Sequence, residues 1–258
     1  MNNKEQDKIL FYCFGPSTCL STKYVHRVFH NLGERLAENI AFDCAIADFN
    51  VGSPERAKWM NDLCSENGYT KLILGGWCNG GLEALRIAQN IDVKTLETSC
   101  VALFDTYESL YWNSYSGVNE ISIKESLTLF YQQMTGDDDF DLYNALDNFK
   151  LEEMPDFVID KIAGKDFSKQ TVQRMLSKYN AVRKEIIAKK GNISLGDYSY
   201  KGKILLFTAM DEITTGMDPY LGWHKCMDLE FIGLNANHFS MFSMECVDII
   251  AAKLYEYL

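Results

Sequence analysis

The chain has 258 residues, a formal net charge of −11, a hydrophobic content of 47% and only 4 prolines. These values exclude an intrinsically disordered or collagen-like chain and indicate a globular protein with a buried core. The negative charge disfavours binding to nucleic acid and to anionic membranes, and no apolar run reaches the roughly 18 residues that span a bilayer.

Six short apolar runs alternate with helical patterns along the chain. Strands are predicted at 8–14, 42–49, 71–74, 100–104, 203–208 and 229–234, and helices at 25–36, 54–66, 79–89 and 242–258. Continuous apolarity, rather than alternation, is typical of strands that are covered on both faces. The sequence therefore predicts an α/β fold with a mostly parallel, doubly wound sheet.

The alternation stops between the fourth and fifth predicted strands. Helical patterns there cover 121–133, 141–149, 155–162 and 169–189. A segment of this length is too long for a loop, so residues 107–202 are predicted to form a helical lid insertion within one domain that covers 1–258.

The eight cysteines are interpreted as reduced thiols. The polar start, Met1–Lys8, predicts no signal peptide, so we expect a cytoplasmic protein. No pair of cysteines has the C-x-x-C spacing, and the acidic run after Gly136 lacks the EF-hand pattern, so no metal is expected.

The sharpest local signal is the sequence Gly-Gly-Trp-Cys-Asn-Gly-Gly at 75–81, between an apolar strand and a helical pattern. Its core is G-x-C-x-G, the nucleophile-elbow pattern with Cys78 in the place of serine. The following helix N-terminus favours the thiolate, and the amide of Asn79 is expected to face a developing oxyanion. A glycine-rich turn that binds phosphate or packs tightly is the alternative interpretation.

A histidine and two aspartates are candidates to complete a catalytic triad. His238 follows the last predicted strand, where a general base belongs in such a sheet, although a surface or structural histidine would fit there too. Asp105 and Asp211 each follow a strand and could hold the imidazole in the productive tautomer. Their positions alone leave the two aspartates nearly equal.

These residues resemble the thioesterase domains of nonribosomal peptide and polyketide synthases. That family carries a G-W-S-x-G-G elbow, then Leu-Asp-Ser/Thr about 27 residues later, a helical lid and a G-x-H-F pattern. The counterparts here are 76–81, Leu-Phe-Asp-Thr at 103–106, and Asn-His-Phe at 237–239, with Trp223 before the last strand. The resemblance implies an α/β-hydrolase fold and favours Asp105 over Asp211 as the acid.

Two features depart from that family. The nucleophile is Cys78, and the first loop, 14–18, lacks the usual His-Pro-x-Gly-Gly run. The position of this loop after the first strand still suits a second oxyanion-hole amide, which we assign to Ser17 because Pro16 has no amide hydrogen.

Four aromatic residues are expected near the substrate. They are Trp77 on the elbow and Tyr107, Tyr111 and Trp112 after Asp105. For the three that follow Asp105, packing within the lid is the favoured interpretation, and lining a substrate tunnel is the functional alternative.

The resemblance implies an enzyme that accepts acyl or peptidyl groups from the phosphopantetheine of a carrier protein and needs no cofactor of its own. Product release by hydrolysis or cyclisation is expected. An acyl or aminoacyl shuttle between carrier proteins, a Cys-dependent ester or lactone hydrolase that uses Asp211, and a catalytically silent binding protein remain alternatives.

Overall fold

A six-stranded parallel sheet forms the centre of the molecule. The computed structural model describes residues 7–19, 21–92, 94, 96–114, 118–137, 141–163, 167–190, 200–226 and 228–257. The strands are β1 (Ile9–Gly15), β2 (Ala41–Ile46), β3 (Lys71–Trp77), β4 (Glu97–Phe104), β5 (Ile204–Ala209) and β6 (Leu229–Leu234). They are ordered β2-β1-β3-β4-β5-β6, with every pairing parallel. The predicted α/β class and its strands are confirmed.

Helices cover both faces of this sheet. In chain order the described helices are α1 (Thr22–Val28), α2 (His30–Leu36), α3 (Ser53–Asn67), α4 (Gly80–Ala88), α5 (Ser109–Ser114), α6 (Val118–Thr135), α7 (Asp141–Ala145), α8 (Met154–Ile162), α9 (Lys169–Lys190) and α10 (Met244–Tyr255). Buried residues of α1, α2 and α10 pack on one face, and those of α3 and α4 pack on the other. This two-sided burial explains why the strands are apolar throughout.

Helices α5–α9 lie between β4 and β5, and α6–α9 have a hydrophobic cluster of their own. Phe130, Leu142, Val158 and Leu176, from four different helices, are among its buried members. We call α5–α9 the helical insertion. Its first helix, α5, was not expected from the sequence.

One predicted helix is divided in two. The pattern at 25–36 forms α1 and α2, which are interrupted at Phe29 with φ −88° and ψ 3°. The Phe29 ring packs edge-on against Phe242, with ring centroids 4.8 Å apart. The break therefore places an aromatic ring at the junction of the two helices and the segment before α10.

All eight cysteines are free thiols, in agreement with the sequence interpretation. No helix in the described part of the chain combines the length and the apolarity needed to cross a bilayer.

Candidate active site

Cys78 lies on a sharp turn between β3 and α4. Its φ is 56°, in the left-handed region that side chains rarely adopt, and such strain is concentrated at functional sites. The turn requires glycine on both sides of the cysteine. A Cβ at Gly76 would lie 2.2 Å from the backbone of Gly80, and one at Gly80 would lie 2.1 Å from the carbonyl oxygen of Phe14. The structure therefore contains the elbow geometry that the spacing predicts.

His238 is fully buried and contacts Asp105. Its Nδ1 lies 2.6 Å from Oδ2 of Asp105, at the end of β4. The other carboxylate oxygen, Oδ1, accepts the backbone N–H of Ala209 at 3.1 Å. Asp105 also has a left-handed backbone, with φ 47°. The carboxylate is thus fixed from two sides and holds the imidazole in one orientation.

Hydrogen bonds hold both the backbone N–H and the backbone carbonyl of His238. The N–H of His238 donates to Glu212, and its carbonyl accepts Nε1–H of Trp77 at 3.1 Å. Asn237 Oδ1 accepts the N–H groups of Phe239 and Ser240, each at 2.9 Å, which stabilises the turn that follows.

Trp77 has a different environment from the one expected. Its ring lies in the core, 1% exposed, with its centroid 5.0 Å from that of His238. The expected substrate contact is replaced by contact with the imidazole and a hydrogen bond to its backbone. Trp77 thus positions His238.

Three reactive side chains meet at the elbow. The Sγ of Cys78, a ring nitrogen of His238 and a carboxylate oxygen of Glu125 all lie within 4.8 Å of one another. Nε2 of His238 has no hydrogen-bond partner among the described residues. In a ligand-free site such contacts are often long and close only with substrate bound. These donor types could also hold a zinc ion, but the elbow and the Asp105 contact match acyl transfer more fully.

The surroundings of His238 favour its charged form. Burial lowers its pKa, but the negative charge of Glu125, the hydrogen bond to Asp105 and the interaction with Cys78 outweigh burial, so the pKa lies well above 6.5. A proton taken from the thiol would therefore be retained on the imidazole as part of a thiolate–imidazolium pair.

The amide expected in the oxyanion hole already has a partner. Ser17 N–H donates to Oδ1 of Asn79 at 2.9 Å. This amide can serve an oxyanion only if the Asn79 side chain releases it. The bond nevertheless brings the first loop to the start of α4, where the backbone N–H of Asn79 follows Cys78.

The second candidate acid lies away from the imidazole. Asp211 is exposed, and its backbone N–H donates to the carbonyl of Ala236 at 3.1 Å. The next residue, Glu212, is the one that contacts His238. Of the two aspartates, Asp105 alone belongs to the group around the imidazole.

The aromatic residues after Asp105 separate into two environments. Tyr107 is buried, and burial followed by the charge of Asp105 raises its pKa. Tyr111 is stacked with Tyr107 at a centroid distance of 6.5 Å, and its hydroxyl accepts the N–H of Asp218 at 2.7 Å. The Trp112 side chain lies outside the described part. Tyr107 is thus near the acid, while Tyr111 connects α5 to the loop before β6.

Three further residues near His238 were not predicted from the sequence. Glu125 comes from α6, Tyr143 from α7, and Glu212 from the turn after β5. The hydroxyl of Tyr143 donates to Glu212 at 3.3 Å. Glu212 directly follows Asp211, so the pair of acidic residues after β5 is the sequence signal that indicates it. No local motif marks the other two.

Comparisons with known proteins define the fold. No protein-family model and no curated protein matches the sequence. The chain is similar to a holo four-domain nonribosomal peptide synthetase bound to AMP and glycine, with 18% identity and a TM-score of 0.59 over 97% of this chain, but only 19% of the synthetase's length. It is also similar to the NocB thioesterase domain of the nocardicin cluster, with 16% identity and a TM-score of 0.53 over 98% of this chain and 95% of that domain.

Similarity also extends to a protein from Pseudomonas aeruginosa described as an epoxide hydrolase, with 14% identity and a TM-score of 0.54 over 98% of this chain and 90% of the other. At these identities the likenesses concern the fold. With the parallel sheet and the elbow, they show that this chain has the α/β-hydrolase fold.

Proposed function

We propose that this protein is a thioesterase-like enzyme that takes acyl or peptidyl groups from the phosphopantetheine thiol of a carrier protein. Its catalytic residues would be Cys78, His238 and Asp105, acting in nonribosomal peptide or polyketide biosynthesis. The observation that carries the proposal is the group around His238, with Asp105 on one ring nitrogen and the Cys78 thiol within 4.8 Å of the ring. The carrier protein and a small acyl substrate would be its partners, and the cytoplasm its location.

The first half of the reaction transfers the acyl group to the enzyme. His238 accepts the thiol proton, and the Cys78 thiolate attacks the thioester carbonyl. Backbone N–H groups at the start of α4, with Asn79 the first of them, stabilise the oxyanion. The intermediate collapses by breaking the bond to the carrier sulfur, which leaves as a thiol after it takes the proton from His238. Asp105 stabilises the imidazolium throughout.

The second half depends on the acceptor. A thioester on Cys78 is similar in energy to the thioester on the carrier, so the acyl group remains reactive after loading. Attack by water gives hydrolysis, and attack by an amine or hydroxyl of the bound acyl group itself gives cyclisation. In each case His238 accepts the proton of the incoming nucleophile and returns one to Cys78.

The use of cysteine supports a second candidate, an acyl or aminoacyl shuttle between carrier proteins. Because thiol exchange is nearly balanced, Cys78 can pass the group to a second carrier thiol as readily as it receives it. The two functions differ in their product. When a loaded and an unloaded carrier are both supplied, label that reaches the second carrier faster than it becomes free acid identifies the shuttle.

Intact-mass measurement tests the proposal directly. After a short incubation with an acyl carrier substrate and acid quenching, the wild-type protein is expected to gain the mass of one acyl group. Cys78→Ala should gain none, while Cys226→Ala, which removes the other half-buried thiol, should gain the group normally. Equal acylation of wild type and Cys78→Ala, or no acylation of wild type, would overturn the proposal.

A further inference from the structure

Glu125 is a buried carboxylate beside the nucleophile that the triad chemistry does not use. It lies on α6 of the helical insertion and is 7% exposed. One of its oxygens is within 4.8 Å of both the Cys78 Sγ and a ring nitrogen of His238. An acyl group bound to Cys78 would therefore lie close to this carboxylate.

The immediate surroundings of Glu125 are rich in carboxyl groups. Asp105 and Glu212 also lie within 4.8 Å of His238, so three carboxylates surround one imidazole. Burial raises the pKa of Tyr107 and of Tyr143, and the nearby charges of Glu125 and Glu212 raise it further. Asp105 is paired with His238, and Glu125 adds a second negative charge, so the cluster favours a positive group over a negative one at this place.

The reacting atoms must enter this space. Nε2 of His238 is buried and has no described hydrogen-bond partner, and a ring nitrogen of His238 lies within 4.8 Å of both the thiol and the Glu125 carboxylate. When Cys78 carries an acyl group, the carbon next to the carbonyl lies close to the sulfur. A substituent on that carbon is then within reach of the Glu125 carboxylate, which lies within 4.8 Å of the sulfur.

We propose that Glu125 binds the protonated amine of the acyl group, so that the preferred substrate is a thioester of an amino acid whose α-amine, beside the reacting carbonyl, is free. The proposal rests on the proposed function, because it assumes an acyl group on Cys78. It assigns Glu125 as the specificity-determining residue, with the ammonium donating hydrogen bonds to the carboxylate and the methyl or side chain turned away.

Loading kinetics with two matched thioesters test this assignment. Alanyl-N-acetylcysteamine and isobutyryl-N-acetylcysteamine differ only in that a methyl group replaces the ammonium. We expect the wild-type protein to be acylated about ten- to a hundredfold faster by the alanyl thioester, since hydrogen bonds to charged groups are the strong ones. Equal rates for the two thioesters in the wild type would overturn the proposal without any variant.

Three variants locate the preference. Glu125→Gln keeps the shape but removes the charge, and is expected to lose most of the alanyl rate while the isobutyryl rate is retained. Glu125→Asp should keep part of the preference, and Glu153→Gln, which removes a carboxylate at the start of α8, should keep all of it. If Glu125→Gln slowed both thioesters equally, Glu125 would act on the triad instead and the proposal would be wrong.

The outcome is separable from the proposed function. If neither thioester acylates Cys78, the proposed function fails. If both do so at the same rate, the function stands and only the role of Glu125 fails.

Discussion

The sheet and the helical insertion contribute to the site in different ways. The sheet supplies Cys78, Asp105 and His238 from the ends of its strands and the loops that follow, where strained turns and backbone hydrogen bonds hold them. The insertion has its own hydrophobic cluster and supplies Glu125 and Tyr143 from helix surfaces. Under the proposed function, the sheet would fix the reacting groups, whereas the insertion would set which group is held beside them.

The largest expected effect comes from the strand-end residues. His238→Ala or Asp105→Asn should slow acylation of Cys78 by about 10³–10⁴-fold, because the thiol loses its base or the base loses its orientation. Asp211→Asn, whose side chain is exposed, should leave the rate unchanged. Single-turnover loading measured by mass spectrometry provides the rates. The reverse pattern, with Asp211→Asn inactive and Asp105→Asn active, would favour the ester or lactone hydrolase alternative.

Glycine substitutions compare the packing of the two regions. Gly80→Ala places a Cβ 2.1 Å from a backbone oxygen that cannot move away, so it should lower the free energy of unfolding by about 3 kcal/mol. In Gly136→Ala, in the helical insertion, the new Cβ meets only the end of the Arg27 side chain at 3.3 Å. The alanine would still have to adopt a φ of 71°, so the free energy of unfolding should fall by about 1 kcal/mol. Urea unfolding measures both, and equal losses would show that the elbow is less tightly packed than the structure indicates.

A smaller effect on the acylation rate is expected from a change at the contact between the first loop and the elbow. Asn79→Ala removes the acceptor of the Ser17 N–H and loosens the loop that flanks the oxyanion. Loss of one hydrogen bond corresponds to about a fivefold slower acylation. Thermal unfolding of the same variant serves as the control, since a large drop in Tm would attribute the slower rate to folding. A faster reaction would show that the Asn79 side chain blocks the amide in the resting enzyme.

Glu212 connects the two regions and affects how stability depends on pH. Burial, followed by the charge of Asp105, raises its pKa from 4.5 to about 8. A carboxyl group whose pKa is higher in the folded state stabilises the protein at low pH, and this contribution is lost as the pH rises through that value. Glu212→Gln should therefore show a smaller fall in Tm between pH 4.5 and 8 than the wild type does. Parallel curves would mean that Glu212 is ionised in the folded protein throughout.

The strands and the elbow could be predicted because their signals are local. Apolar runs mark β1 and β3–β6, and the spacing of Gly76 and Gly80 around Cys78 follows from the close approach of backbone atoms. The break at Phe29 was missed because the apolar pattern continues through it. A periodic pattern reports which face is buried and not whether the backbone remains helical.

The choice between the two aspartates needed information beyond position. A short 3-10 turn, Met210–Glu212, follows β5, and within it Asp211 is exposed while Glu212 reaches His238. Sequence position alone does not show which of two neighbours such a turn directs inward. Glu125 could not be predicted at all, because a glutamate on a helix is ordinarily solvated and its burial depends on how α6 packs over the sheet.

The most direct test of the central claim is the rate at which each thiol reacts with iodoacetamide near neutral pH, followed by peptide mass spectrometry. Burial raises the pKa of the other seven cysteines, which are Cys13, Cys19, Cys44, Cys64, Cys100, Cys226 and Cys246. If His238 takes the proton of Cys78, this thiol reacts fastest of the eight, and His238→Ala removes that advantage. Reaction of Cys78 no faster than the others, or an advantage that survives His238→Ala, would contradict the account.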